Sequence, residues 1–428
     1  MNAHHQGTWR IGFVGAVVVT GMLTWGIDDV RFPSEIAAAE ITTVVANTGL
    51  ATDDLGALAS KALQDGSADS DTAVQELRKR GPDVVTYLMS QPELRKSLRW
   101  SAVLDAVAQQ KDAHYSGLYW HTDLDQALAV AKREKKPVLS LRLLGNLTDE
   151  LSCANSRFFR ITLYPNPAVR QLLASQFVLH WKSVRPVPIV TIDFGDGRKI
   201  QRTITGNSLH VVLDAQGRPI DILPGLYAAA AFVRELQQSG PVAVQFAGLD
   251  EGEFMQRRSE YHQNRLNSLA SIWNDHCQKA NLPALLPFGV DHPPEVWTKL
   301  AMPAGPEPVI QDQAYRAVVE HAPPAQVAGR LAFLKSVTET PAMRLVRNVS
   351  QIINEDSVRN QYYLHVRIHN WFSAELSMPA AEPLVDRVYS ELFLSPLNDP
   401  WYGLSQPDVY SAVRNDGRIH VVTQNSGH

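Results

Sequence analysis

Lys136-Pro137-Val138-Leu139-Ser140-Leu141-Arg142-Leu143-Leu144, then the loop Gly145–Ser152, then Cys153-Ala154-Asn155-Ser156-Arg157: the fold turns on this stretch. Val138–Leu144 is short and mostly apolar, as a buried strand requires. Cys153 opens a helix that runs toward Ile161. Upstream, Asp123–Glu134 carries Leu124, Ala127, Leu128 and Ala131 on one helical face, and Lys135-Lys136-Pro137 stops it. Downstream, Asn166-Pro167 leads into a helical piece within Pro165–Ala174, and Phe177–Trp181 reads as a second strand.

Further on, Val190, Ile192 and Phe194 alternate with polar residues, and Gly195-Asp196-Gly197 makes a turn, so Ile189–Thr205 reads as a β-hairpin. Leu209–Leu213 and Ile220–Leu223 are expected as core strands around the turn Asp214–Gly217, with Tyr227–Gln238 as a closing helix. Helix, strand, cysteine-headed helix, helix, strand, then two strands and a helix is an α/β order. It resembles the thioredoxin fold, and the wording resembles the exported thioredoxin-like proteins related to disulfide reductases and isomerases. The pieces that carry the resemblance are Thr122-Asp123-Leu124-Asp125-Gln126-Ala127, Lys136-Pro137-Val138-Leu139, Asn166-Pro167-Ala168-Val169, Leu172-Leu173 and Phe177-Val178. Further pieces are Thr205-Gly206-Asn207-Ser208, Val211-Val212-Leu213-Asp214, Gly217 and Pro224-Gly225.

The resemblance implies a site. In that superfamily a thiolate at a helix start attacks a disulfide, the helix N-terminus lowers its pKa, and a second cysteine resolves the adduct. Here Cys153 holds the nucleophile position, while Ser156 stands at the resolving position, giving a degenerate Cys-x-x-Ser. Ser208 stands where the family usually has a cis-proline facing the cysteine, so Asn207 and Ser208 fall in the implied substrate groove. The long loop Gly145–Ser152 and the inserted hairpin are further departures. Monothiol exchange through Cys153, with Ser156 and Arg157 stabilising the thiolate, would have a protein thiol or disulfide as its partner.

Two other readings of Cys153 stand beside it. It is a metal ligand with His210 or His180, or it is a small residue packed at a helix start. His365 and His369 lie four apart on an expected helix, Asp356–Ala374, so they share a face and suit a metal. Val358, Tyr362 and Phe372 continue the same stripe, which equally suits packed histidines. His276-Cys277 are adjacent and point apart on a helix. No phosphate loop, dinucleotide fingerprint, haem-attachment motif or serine elbow occurs, so no cofactor is expected.

The ends bound the rest. Ile11–Ile27 is an uncharged run of 17 residues, preceded by Arg10 and followed by Asp28-Asp29. It reads as an export signal or membrane anchor, within residues 1–34. The expected location is the cell envelope of a bacterial-type cell, either anchored with the bulk exported or periplasmic after cleavage. Residues 35–114 are expected as a helical region, 115–240 as the thioredoxin-like domain and 249–428 as a C-terminal α-helical domain, opening with a long polar helix over Leu249–Ala280. With a net charge of −4 and no long basic run among 428 residues, nucleic acid is not an expected partner. The two cysteines could pair only if their Cα atoms came within bonding range.

Overall fold

The structure, a computed structural model, describes residues 52–64, 68–203, 206–283, 286–301, 351–374, 380–400 and 402. The apolar run Ile11–Ile27, the stretch 302–350 and the tail from 403 lie outside them. Among the described residues no helix is long and apolar enough to cross a membrane.

The chain first forms helices α1 (Thr52–Ala62), α2 (Ala68–Lys79), α3 (Asp83–Ser90), α4 (Trp100–Ala108) and the short α5 (Ala113–Ser116). Leu55, Leu77, Val84, Leu88, Leu104 and Val107 close a core of their own. Leu94 to Val107 is not one continuous helix. A 3₁₀ turn at Leu94–Lys96 precedes α4, and Ser97 between them is extended. Arg78 joins this bundle to the next layer, donating to the carbonyls of Val107 and Trp120, both at 2.8 Å.

Helix α6 (Leu124–Glu134) begins where the Asp123 carboxylate accepts from the Gln126 amide, and it ends with Lys135 in the left-handed region. Strand β1 (Val138–Leu144) follows, with all seven residues buried. It is a central strand, parallel to β2 (Val178–Arg185) and antiparallel to β5 (Ser208–Leu213), which pairs in turn with β6 (Pro219–Pro224). The sheet order is β2-β1-β5-β6. Between β1 and β2 lie α7 (Ala154–Phe158), which continues as a π turn over Phe159–Leu163, and α8 (Pro167–Gln176). Asn166 caps α8 by accepting from the Ala168 and Val169 amides, and Pro167 supplies the fixed φ of the first turn. Strands β3 (Ile189–Asp193) and β4 (Lys199–Thr203) form a separate antiparallel hairpin, with Ile189 opposite Thr203 and Asp193 opposite Lys199.

Helix α9 (Ala229–Phe246) runs two turns beyond the expected Gln238 and carries Pro241 inside it. Helix α10 (Glu251–Lys279) is 29 residues long, and α11 (Pro294–Ala301) packs near its end, where Trp273 and Trp297 share a cluster. Helical backbone from 351 passes through a π turn at Asn360–Leu364 into α12 (His365–Ala374). Helix α13 (Ala381–Arg387) extends into another π turn, Val388–Leu392.

The C-terminal helices do not stand apart as a separate layer. Leu364, Ile368 and Phe372, with Leu384, Val388, Tyr389 and Tyr402, belong to the same hydrophobic core as Leu139, Leu141, Val211 and Ile222 of the sheet. Strands buried along their whole length need cover on both sheet faces, and here the later helices do part of that covering. Each fully buried leucine of β1 contributes roughly 1.5–3 kcal/mol through area removed from water.

Candidate functional site

Two places in this unit gather chemically capable side chains. The first is Cys153. Gly145, at φ 70°, turns the chain out of β1, and the Cys153 amide donates back to the Leu144 carbonyl at 3.3 Å. The loop 145–152 therefore returns to the end of β1, and Cys153 becomes the cap of α7. Its Sγ accepts from the Ser156 amide at 3.4 Å. The residue is fully buried. Burial pushes the thiol pKa up, and the opposing pull of the Ser156 amide and hydroxyl does not overcome it.

The other residues expected at this site are engaged elsewhere. The Ser156 hydroxyl lies 2.5 Å from Ser152 Oγ and 3.0 Å from the Cys153 carbonyl. Arg157 reaches the hairpin, donating to Thr203 Oγ1 at 3.3 Å. Ser208 is buried and accepts from Asn155 Nδ2 at 3.1 Å. Asn207 is held by the C-terminal part of the chain: its Nδ2 donates to Ser395 Oγ at 2.9 Å, and Tyr389 OH donates to its carbonyl at 3.0 Å. Gly206 sits so close that a Cβ there would meet Asn155 Oδ1 at 2.7 Å. The hairpin does not cover the thiol, since both its strands are solvent-exposed along almost their whole length.

His210, on β5, bonds Tyr164 OH at 2.8 Å, and burial lowers its pKa to about 3. His180, on β2, bonds Ser140 Oγ at 2.7 Å and is likewise lowered to about 3, by burial first and then by Arg142. Each imidazole thus has a partner other than Cys153. Cys277 is also buried, on α10, and both thiols are free.

The second place lies between β6 and the late helices. Asp221 on β6 is fully buried, and Oδ1 receives His365 Nε2 at 2.8 Å and the Ile222 amide at 2.8 Å. Tyr261 OH donates to Oδ2 at 3.2 Å. Burial alone would raise this carboxyl, but His365, His369 and His262 around it outweigh that and hold it below the usual carboxylate range. His369 stacks on His365 with ring centroids 4.1 Å apart, and its Nδ1 meets His262 Nδ1 at 2.7 Å. His262 Nε2 in turn faces the Ile220 carbonyl at 2.9 Å. Beside them Glu235 on α9 accepts from Arg265 at 2.5 Å, and its Oε2 lies 3.9 Å from His365 Nδ1. Asp221, His365 and His369 each offer a ligand atom within 4.8 Å of the others, and all three are buried.

The sequence pattern had singled out His365 and His369 but not Asp221, His262 or Glu235. A signal for His262 was present. The buried stripe of α10 runs Phe254, Arg258, His262, Arg265, Leu269, Trp273, Cys277, so charged and polar residues occupy positions that periodicity assigns to the core. No protein-family model, no curated protein and no solved structure matches this chain.

Proposed function

We propose that this chain is an exported or membrane-anchored thioredoxin-like protein whose domain acts as a non-catalytic binding and assembly module. The order of strand, cysteine-headed helix, helix, strand, inserted hairpin, two strands and helix supports the thioredoxin-like part of this reading. The run Ile11–Ile27 supports export. The observation that carries the non-catalytic part is the burial of Cys153, at 0% exposure, beside a loop whose Asn207 is held by Ser395 and Tyr389 of the same chain. A nucleophilic thiol needs access and a lowered pKa, and burial gives the reverse of both. Monothiol exchange by Cys153 with Ser156 and Arg157 is correspondingly less well supported.

The partner-facing element in this reading is the β3–β4 hairpin, with Ile189, Ile192 and Phe194 each about half exposed. A two-stranded ribbon with open edges and exposed isoleucine and phenylalanine side chains is a surface that proteins ordinarily cover. Iodoacetamide labelling of the folded chain at neutral pH is the test. We expect Cys153 to react only on unfolding, and Cys153→Ser to retain partner capture, while Ile192→Asp with Phe194→Asp loses it. Rapid labelling of Cys153 in the folded chain, or mixed-disulfide adducts that vanish in Cys153→Ser, would restore the catalytic reading.

A further inference from the structure

The proton arrangement around His369 leaves a ligand atom bare. The Ile220 carbonyl can only accept, so His262 carries its proton on Nε2 and its Nδ1 holds a lone pair. His369 Nδ1 must then donate to His262 Nδ1. That fixes the neutral tautomer of His369 with the lone pair on Nε2, and this Nε2 is buried with no hydrogen-bond partner.

A buried imidazole whose far nitrogen is tied to a carbonyl-anchored chain is the arrangement by which proteins aim a histidine at a metal ion. His365 completes the pattern. It faces Asp221 through Nε2, and its Nδ1 has no hydrogen-bond partner but lies 3.9 Å from the Glu235 carboxylate. With its proton moved from Nε2 to Nδ1, His365 keeps the same charge, turns an N–H toward Glu235 and offers a lone pair on the Asp221 side.

We propose that Asp221, His365 and His369 bind a divalent transition-metal ion of the zinc class, with His262 and Glu235 orienting the two imidazoles. Two imidazoles and one carboxylate are a donor set zinc accepts, and atoms within 4.8 Å of one another reach bonds of about 2.0–2.2 Å by small side-chain adjustments, with Asp221 Oδ1 and His365 Nε2 parting from their 2.8 Å contact. A hard cation such as calcium or magnesium would want more oxygen than one carboxylate supplies. The ion would tie β6 to α12, two elements 144 positions apart at Asp221 and His365. All three ligands are buried, and a water molecule would take the fourth tetrahedral position.

The test uses the full chain without a histidine tag, stripped with a chelator and titrated with zinc chloride alone, with cobalt(II) as a spectroscopic substitute. We expect one equivalent of zinc bound, a rise in melting temperature on binding and a tetrahedral cobalt d–d spectrum. His369→Gln should weaken zinc at least 100-fold, and His262→Phe, which touches no ion, roughly 10- to 100-fold. The cobalt spectrum of the unmutated chain decides the matter if His369→Gln does not fold. Absence of stoichiometric zinc, an octahedral cobalt spectrum, or unchanged affinity in a folded His369→Gln would each overturn the proposal.

Discussion

Cys153 and the Asp221–His365–His369 cluster are both buried, yet burial acts on them in opposite ways. The Cys153 sulfur accepts from the Ser156 amide, its burial outweighs the pull of Ser156, and Arg157 is turned to the hairpin. The cluster is crowded with titratable groups, and it still leaves His369 Nε2 and His365 Nδ1 without hydrogen-bond partners. A satisfied small residue in a core needs no further explanation. An unsatisfied imidazole does, because an unpaired buried polar group costs about 1–3 kcal/mol. A satisfied cysteine and an unsatisfied imidazole are therefore different things, and a candidate site is recognised by what its atoms lack.

That contrast can be broken by experiment. Among the substitutions, Asp221→Ala should have the largest effect, a loss of about 3–5 kcal/mol in denaturant unfolding, because it strands His365 and Tyr261 beside an empty site. A loss under 1 kcal/mol would mean that the cluster carries no more strain than the cysteine does.

Acidification tests a different region, the buried histidines of the sheet. His180 and His210 titrate near 3 in the folded chain, because burial opposes their charge, against about 6.5 when unfolded. Below that unfolded value the unfolded chain takes up protons that the folded chain refuses. Stability is therefore complete above about pH 6.5 and falls as the pH drops toward 3, with a slope approaching ~1.4 kcal/mol per pH unit for each histidine. Denaturant midpoints across this window measure it, and a flat profile would contradict buried neutral imidazoles.

Gly206→Ala should cost about 1–3 kcal/mol, since its Cβ would press on Asn155, the side chain that holds Ser208. Thermal melting reads that loss. Cys153→Ser should cost less, about 1–2 kcal/mol, for a hydroxyl that has only one amide to meet. Ile192→Lys on the exposed hairpin should stay within about 0.5 kcal/mol by the same measurement. A large loss there would mean that the hairpin packs on the body.

Local pattern was enough to find most of the strands and helices. Val138–Leu144 is a strand because seven mostly apolar residues sit between Pro137 and Gly145. Helix α8 starts where Asn166-Pro167 says it should. The hairpin is legible because alternation and a Gly-Asp-Gly turn are both short-range signals. The extension of α9 through Pro241 to Phe246 was not legible, since proline ordinarily ends a helix and only packing, with Ala243 and Phe246 in the core, holds this one together. The candidate site was half legible. His365 and His369 share a face by spacing alone, but nothing in Ile220–Leu223 says that Asp221 meets a helix 144 residues later.

The sequence by itself determined the local elements, the cysteine at a helix start and the histidine pair, because each rests on residues within a turn or two of one another. Tertiary structure alone decided that Asn207 is held by Ser395 and Tyr389, that Cys153 is sealed in, and that Asp221, Glu235 and His262 converge on the histidines. Those outcomes depend on which faces become buried against which, a choice made by the summed packing of the whole unit rather than by any one segment.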